Sequence, residues 1–412
     1  MKIRLYDSLI DLLLMIGIGV PLIFGGVLDT WRTVLTIAII FITIVYIVTH
    51  RIRKTEISLF LYIYVIGVLG IATYEIVKGG KSFDYSGYET FYALRQYLWI
   101  ILAVPLYYVI IKGENVDKYL KKIVKFVLLS LGLRIFTWFC KNYLGITVFY
   151  NLLYEYGNSW GRNGNQRIDA TALIGVLIPV LFYLYRKYKN RKYLLSLGFV
   201  FFYLILVSQT RSLILGSAAC IISMIFFEKR SSSKKLILQL SLLAVFAIAI
   251  NMGVLDSLLS KMNITINDGS IGYRRYEFAY YSSLLLEGKW KTGLGIITSL
   301  NSNGNKLIFG NLDTPMYLDD LGIFECFLQF GLFSIFLYGA LLIYIYYVMV
   351  KCNQAKEYDF AFYLVGQFFY VAVVSIPLNL FGIQRCLSVP VILAIVCAIH
   401  NFVTKKMKGM QI

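Results

Sequence analysis

The chain has 412 residues, of which 59% are hydrophobic and only 15% are charged, and its formal net charge is +18. Soluble domains rarely contain much more than half apolar residues, and many apolar windows here reach the roughly 20 residues that span a bilayer. This composition excludes an ordinary soluble domain. It predicts an all-α polytopic membrane protein, organised as a single integral membrane domain over residues 1–412.

Apolar segments in chain order predict about twelve transmembrane helices. The predicted spans are 8–27, 32–49, 57–77, 92–111, 123–140, 168–185, 193–208, 212–227, 236–255, 321–349, 359–381 and 386–403. The short loops on one side of this series carry most of the lysines and arginines, which is the positive-inside pattern. It predicts a multi-pass protein with both termini in the cytoplasm. The positive charge is thereby assigned to topology, and nucleic acid is not expected as a partner.

No metal and no cofactor is expected from the sequence. The six cysteines form no CxxC pair, and the two histidines, His50 and His400, lie near span ends. No GxxxxGK[ST] loop for nucleotide phosphates occurs. The apolar stretch Leu12–Phe24 precedes no small-residue cleavage site, so it is predicted to be a first span and not a removed signal peptide.

The first long outer loop, 141–167, interleaves aromatic rings with amide side chains in the stretch YNLLYEYGNSWGRNGNQRIDA. Long loops without secondary structure are usually functional. Sugar rings present apolar C–H faces and many hydroxyls, which aromatic rings and amides can contact. Arg162 and Arg167 add positive charge to this loop. The alternative is an interfacial aromatic belt followed by a polar turn. The candidate sugar-binding residues are Trp160, Tyr156 and Asn163.

A short reversal on the outer side, VSQTRSLILG, places Arg211 between two apolar stretches. Most arginines near span ends only extend to the interface, and that remains the alternative. Here the turn is too short for Arg211 to lie far from the membrane, and Ser208, Gln209 and Thr210 surround it with hydrogen-bonding groups. A guanidinium fits phosphate oxygens in a bidentate manner. The turn therefore predicts a phosphate at membrane level, as a lipid-linked substrate would present.

The second long outer loop, 256–320, contains a predicted amphipathic helix at 271–286, which is the candidate catalytic helix. Ile271, Phe278 and Leu285 are predicted to form its apolar face. Its polar face is predicted to carry Arg274, Arg275 and Glu277. A basic amphipathic helix can also simply lie on lipid headgroups, so that interpretation stays open.

Three stretches of the chain resemble the O-antigen polymerase and O-antigen ligase superfamily. SQTRSLILG is similar to a small/polar–Arg–small turn that joins two outer span ends in that family. YRRYEFAYYSSLLLEGKWKTGLGI resembles a second block, in which an arginine and aromatics precede a Gly-x-Gly turn. YLDDLGIFECFLQFGLFSIFLY resembles a third block at the start of a span. The span count and the place of the large loop agree with this family.

The resemblance implies a metal-independent glycosyltransferase with a GT-C-like helical fold in the bacterial plasma membrane. Its substrate would be an oligosaccharide carried on undecaprenyl diphosphate, in contact with membrane lipids. A chain-length regulator and a flippase are candidate partners. Ligases of the family typically carry a His-Asn pair where this chain has Asp313–Asp320, with no histidine. This difference favours a polymerase over a ligase.

Glycosyl transfer from a lipid diphosphate requires groups that stabilise the leaving diphosphate and a base for the acceptor hydroxyl. The candidate diphosphate-binding residues are Arg211, Arg274 and Arg275, with Arg162 and Arg167 as weaker candidates. Glu277 could instead form a helical ion pair with Arg274, and two aspartates could instead cap the next span. The candidate bases are Asp319, Asp320 and Glu277.

Two rival functions belong to other classes. A lipid-linked oligosaccharide flippase would need charged residues along the spans, and Arg134 is the main charge found there. A secondary transporter favours broken spans in two matching halves, and the sequence contains no such internal repeat. The large outer loops with arginines and aromatics favour the transferase.

Overall fold

The computed structural model describes residues 28–49, 58–113, 115–147, 161–162, 164–227, 269–286, 288–309, 318–382 and 384–409. Seven helices in these ranges are long and apolar enough to cross a membrane, and two shorter apolar helices accompany them. The one sheet within the described residues is a pair of two-residue strands, in which Gly161 pairs with Gln166 and Arg162 with Asn165. The protein is therefore an all-α membrane protein.

Short turns and the pair of strands interrupt the series of helices along the chain. The first helices are α1 (Leu28–Thr49), α2 (Leu59–Phe83), α3 (Gly87–Leu98), a 3₁₀ turn (Trp99–Leu102), α4 (Ala103–Lys112) and α5 (Val116–Tyr143). After the strands β1 (Gly161–Arg162) and β2 (Asn165–Gln166) come α6 (Ile174–Tyr188), α7 (Arg191–Phe202), a π turn (Tyr203–Ser208) and α8 (Arg211–Phe226). The long loop 256–320, which is predicted to lie on the outer side and is called the large outer loop, contributes α9 (Gly269–Leu286), α10 (Ser302–Phe309) and, at its end, a 3₁₀ turn (Leu318–Leu321). The last helices are α11 (Ile323–Phe330), α12 (Phe333–Ile335), a π turn (Phe336–Ala340), α13 (Leu341–Gln354), α14 (Tyr358–Ser375) and α15 (Ser388–Met407).

Cap residues explain where several helices begin. Ser86 and Glu89 form a reciprocal capping box, in which the Ser86 backbone N–H donates to the Glu89 carboxylate at 2.7 Å. Asn115 accepts a hydrogen bond from the backbone of Lys118, and Asn190 accepts one from Lys192. Because these side chains satisfy backbone N–H groups that the helix leaves unpaired, they fix the first turns of α3, α5 and α7.

Ten of the predicted spans correspond to helices, and 8–27 and 236–255 lie outside the described residues. Two predictions need correction. The span predicted at 168–185 begins only with α6, because residues 165–173 form an irregular segment whose Ile168 N–H donates to Val207 O at 3.1 Å. The span predicted at 321–349 is broken at Gly331, which has a φ of +54° and separates α11 from α12.

Close helix packing uses small residues, as is usual in membranes. Helix α14 packs between α8 and α13, and α15 packs against α4. A side chain at Gly366 of α14 would meet Met224 and Cys220 of α8, and one at Gly216 of α8 would meet Val374. The outer surfaces of the helices expose large apolar side chains, such as Leu195 at 74% and Ile343 at 70%. This distribution fits a bundle whose surface faces lipid.

The helix ends and loops form two groups of contacts at opposite ends of the bundle. The first group, called the Asp117 end, joins the start of α5 with the ends of α6 and α15 and the start of α14. The second group, called the Arg211 end, contains residues 84–86, 144–147, 164–173, 209–210, 288–309, 318–322 and 376–387, apart from the undescribed 383.

Candidate functional site

A small cavity lies at the Arg211 end, where three segments from different parts of the chain meet. It holds about 40 Å³ of space accessible to water. Its walls are the irregular segment before α6, the turn before α8 and the loop between α14 and α15. The lining residues are Asp169, Ala170, Thr171, Ala172, Ile174, Thr210, Leu213, Tyr370, Val374, Leu380, Gln384, Arg385 and Ser388.

The Arg211 turn forms the first wall through an unusual local backbone. The π turn that follows α7 ends at Gln209, which has a φ of +51° and donates its N–H to Leu204 O at 2.9 Å. A non-glycine residue in the left-handed region costs free energy, and such residues cluster at functional sites. The hydroxyls of Ser208 and Thr210 lie 2.7 Å apart. Arg211 is the first residue of α8 and is half-buried, next to the cavity-lining Thr210.

The second wall is the segment 165–173, in which β2 is followed by irregular backbone, and side chains from α5 and from the π turn after α7 fix it. The Asn142 side chain forms two hydrogen bonds with the backbone of Gln166. It donates to Gln166 O at 2.9 Å and accepts from Gln166 N at 2.7 Å. Arg134 donates to Asp169 O at 2.8 Å, and the Tyr203 hydroxyl donates to the same oxygen at 2.8 Å. These bonds replace helical backbone bonds, which explains why an apolar segment here is not a helix.

The loop between α14 and α15 forms the third wall and brings Arg385 into the cavity lining. It was not predicted as a site from the sequence. Its signal is nevertheless present, because Arg385 lies in a short outer reversal between two apolar spans, as Arg211 does. The Ser388 hydroxyl at the start of α15 donates to Ala172 O at 2.5 Å, so the third wall is joined directly to the second.

The stretch KTGLG of the large outer loop is fixed to the end of α2. The Lys78 ammonium donates to Thr292 O at 2.5 Å and to Gly293 O at 2.6 Å, and it pairs with the buried Glu75 at 3.5 Å. Gly295 has a φ of +89°, and a Cβ there would lie 2.7 Å from Gly79 N. Only glycine allows this approach of two backbones.

Tyr85 ties the next part of this loop to the bundle. Its hydroxyl donates to Ile296 O at 2.9 Å and accepts from Thr298 N at 3.1 Å. Burial raises the pKa of Tyr85 to about 12, so the phenol stays protonated and keeps both bonds at any physiological pH. The large outer loop is thus anchored at two points beside α2.

The helix predicted at 271–286 is present as α9 (Gly269–Leu286), and Leu285 is buried as predicted, but two other residues lie on the opposite face from the one predicted. Glu277 is only 1% exposed, whereas Phe278, predicted on the apolar face, is 51% exposed. Tyr281 and Leu285 are buried against residues 294–297 and 318–328. The reason is that α9 packs on other parts of the outer loop and on α11, so its buried side is not the one that simple amphipathicity assigns.

The other predicted residues are spread over the second wall, the strands and the outer loop. Arg167 is half-buried in the segment that forms the second wall, without lining the cavity itself. Arg162 lies in β1, and Asp319 and Asp320 lie in the 3₁₀ turn, while their side chains are outside the described part of the structure. The side chains of Arg274 and Arg275 in α9 are also outside it, as are Trp160, Tyr156 and Asn163.

The cavity combines one carboxylate, one guanidinium, one amide and three aliphatic hydroxyl groups among its lining residues. A carboxylate can accept a hydroxyl proton, and a guanidinium can stabilise phosphate oxygens. Among the described residues, no group of three His, Cys, Asp or Glu side chains is placed to hold a metal ion. No family model matches the chain, and no curated protein matches it.

Proposed function

We propose that this protein is a membrane glycosyltransferase that polymerises a polysaccharide at the outer face of a bacterial plasma membrane. The donor is a glycan on undecaprenyl diphosphate, and the acceptor is the next lipid-linked repeat unit. The observation that carries the proposal is the cavity at the Arg211 end, next to Arg211 and lined by both a guanidinium and a carboxylate.

The position of Arg211 supports binding of an anionic group. Arg211 begins α8, so its charge adds to the positive end of the helix dipole. Neighbouring Thr210 lines the cavity and supplies a hydroxyl. A diphosphate docked at this turn would lie at the level where the spans end, which is where the phosphates of a membrane-anchored carrier are found.

In the proposed reaction, the bond between the donor sugar and the diphosphate oxygen breaks. The acceptor hydroxyl oxygen forms the new glycosidic bond, and its proton passes to a carboxylate. Arginines fixed beside the leaving diphosphate stabilise the charge that develops on it, without reorganisation during the reaction. The protein contributes positioning and electrostatic stabilisation.

Three positions are our candidates for the proton acceptor. Asp319 and Asp320 remain candidates from the sequence, since their backbone lies in the 3₁₀ turn at the Arg211 end. Asp169 is added because it is the carboxylate residue that lines the cavity. Glu277 becomes the weakest candidate, because its side chain is buried where α9 packs and is not among the lining residues.

The experiment compares Arg211→Ala and Arg211→Lys in a host whose own copy of the gene is deleted. We expect Arg211→Ala to reduce polymer formation by about 100-fold, because a preorganised contact to the leaving group is lost. Arg211→Lys should restore activity only in part, because lysine keeps the charge but lacks the planar fork. Polymer yield is measured relative to the amount of the protein in the membrane.

Arg191→Ala is the matched control, because Arg191 is also the first residue of a helix, α7, but is exposed at the Asp117 end. It should leave polymer yield unchanged. In cells without the gene, single repeat units should accumulate on the lipid carrier. Full activity of Arg211→Ala at normal abundance would contradict the proposal, since an arginine that only extends to the interface predicts this result.

A further inference from the structure

The loop that carries Arg385 is built around a fully buried amide. Asn379 has no exposed surface, and its side chain donates to Glu325 Oε2 of α11 at 2.8 Å. The side-chain oxygen of Asn379 accepts from the Tyr338 hydroxyl at 2.9 Å and from Phe381 N at 2.9 Å. The Tyr338 hydroxyl in turn accepts from Leu380 N at 3.0 Å. The start of this loop is therefore held from two directions by buried hydrogen bonds.

Hydrogen bonds within the loop also fix the backbone of Arg385. The Arg385 N–H donates to Gly382 O at 2.8 Å, and Ser388 N donates to Arg385 O at 2.8 Å. The backbone of Arg385 is thus fixed on both sides, between the buried Asn379 and the start of α15. A side chain on such a backbone is positioned in advance, which lowers the entropic cost of binding a ligand.

The Arg385 guanidinium has only weak contacts with neutral groups. Its Nη1 donates to Asn379 O at 3.5 Å and its Nη2 to the Gln384 side-chain oxygen at 3.4 Å, both at the long limit for a hydrogen bond. Within the ranges that the structure describes, no carboxylate pairs with it. A guanidinium has five N–H donors, and this one is half-buried at the wall of a cavity.

We propose that Arg385 binds the diphosphate of the lipid-linked substrate, as a second cation opposite the Arg211 turn. The proposal rests on the glycosyltransferase function and names a further residue of the same site. The cavity between these walls holds about 40 Å³, roughly the space of three water molecules. A space this small favours entry of a phosphate group over that of a whole sugar ring, so the glycan is expected outside the cavity.

The nature of the other lining groups agrees with this orientation. Thr171, Thr210 and Ser388 supply hydroxyls and Gln384 supplies an amide, all of which can donate to phosphate oxygens. Asp169 would repel an anion placed beside it, so the phosphate is expected on the Arg385 side and a hydroxyl or water on the Asp169 side. The leaving diphosphate and the proton acceptor would then lie on different sides of the cavity, as glycosyl transfer requires.

The test measures binding of undecaprenyl diphosphate to the full chain in lipid nanodiscs. The variants are Arg385→Gln, which keeps hydrogen-bonding capacity without charge, and Arg385→Lys, which keeps charge without the fork. We expect Arg385→Gln to weaken binding by between about tenfold and about 100-fold, as for loss of a charge-assisted contact. Arg385→Lys should fall between Arg385→Gln and the unchanged protein. Arg191→Gln, at the Asp117 end, is the matched control and should bind normally.

Inorganic pyrophosphate is the second probe. It distinguishes a site for a lipid-borne diphosphate from a site for free diphosphate. If it competes only weakly and its competition depends on Arg385, the site recognises a lipid-borne diphosphate. If it binds as tightly as the lipid and depends on Arg385, the site takes free diphosphate, and the assignment of Arg385 to phosphate binding still holds. Binding of both probes to Arg385→Gln within about twofold of the unchanged protein would overturn the proposal.

The same variants distinguish failure of this inference from failure of the proposed function. Polymer formation that persists fully in Arg385→Gln, in a protein that needs Arg211, would refute the role of Arg385 and leave the function intact. Binding that depends on Arg385, in a protein that forms no polymer, would support Arg385 and refute the function. If Arg385→Gln does not yield a monodisperse protein, Arg385→Lys decides: normal binding then overturns the proposal, and weakened binding supports it.

Discussion

Asn379→Ala should destabilise the protein more than any other single amide truncation at the Arg211 end. The side chain of Asn379 is fully buried and joins Glu325 of α11, Tyr338 of the π turn and Phe381 of its own loop. Alanine removes one donor and one shared acceptor at once. The Glu325 oxygen, the Tyr338 hydroxyl and the Phe381 N–H then all lose this partner inside the bundle.

The size of the effect follows from the number of contacts. Each buried polar group that loses its partner costs about 1–3 kcal/mol in proteins, and single interhelical hydrogen bonds in membranes average only about 0.6 kcal/mol. At about 0.6–3 kcal/mol each, the three N–H and O–H contacts give between about 2 and about 9 kcal/mol, with relaxation and water entry favouring the lower half. Glu325 keeps its bond from Gln329 at 3.0 Å, which limits the loss on that side.

The assay is the fraction of monodisperse protein after heating in detergent, because membrane proteins often unfold irreversibly and the apparent midpoint then reports kinetic stability. We expect the midpoint of Asn379→Ala to fall by about 2–5 °C, because the unfolding entropy of so long a chain converts each kcal/mol into roughly 1 °C. Asn401→Ala is the matched control, since Asn401 is half-buried and donates a single hydrogen bond, to the Tyr107 hydroxyl at 2.8 Å. An Asn379→Ala midpoint no lower than that of Asn401→Ala would refute the reasoning.

Two further predictions concern the anchoring of the outer loop and the topology. Lys78→Met should remove the hydrogen bonds to Thr292 O and Gly293 O and so increase proteolysis of the loop at 289–297. Lys81→Met, at an exposed position of α2, is the control and should not increase it. Equal cleavage of both variants would contradict this prediction. Cysteines placed at the exposed Lys192 and Asn303 should react with a membrane-impermeant reagent from opposite sides of the membrane, and labelling from one side would contradict the topology.

Most of the helices were predictable because apolar runs of sufficient length have few alternatives in lipid, where every backbone group must be paired. The same argument fails for residues 168–173. Their position at the start of an apolar run predicts a helix, but Arg134 and Tyr203 bind their backbone from the side, and Asn142 binds that of the preceding Gln166. Such pairing depends on residues far away in the chain, so a local apolar pattern cannot reveal it.

The candidate site was predictable where one short stretch contained its residues, and not where it depended on packing. The Arg211 turn was identified because an arginine and hydroxyls stand in one brief reversal, and the structure places that turn beside the cavity. Arg385 has a similar sequence setting, but only the packing of α14 and α15 brings it to the same cavity. Glu277 was placed on the wrong face because the helix alone does not show which surface α11 covers.

Arg385 differs from three cations at the Asp117 end in the groups that it contacts. At the Asp117 end, Arg186 pairs with Asp359 at 3.2 Å, Lys187 pairs with Asp117 at 2.6 Å, and Lys406 pairs with Glu357. These pairs join the ends of different helices, so their charges are already matched within the protein. Arg385 has neutral acceptors at 3.4 Å and 3.5 Å in their place. Because a half-buried guanidinium gains most from a charged acceptor, the Arg211 end is the end at which an anionic substrate would complete the structure.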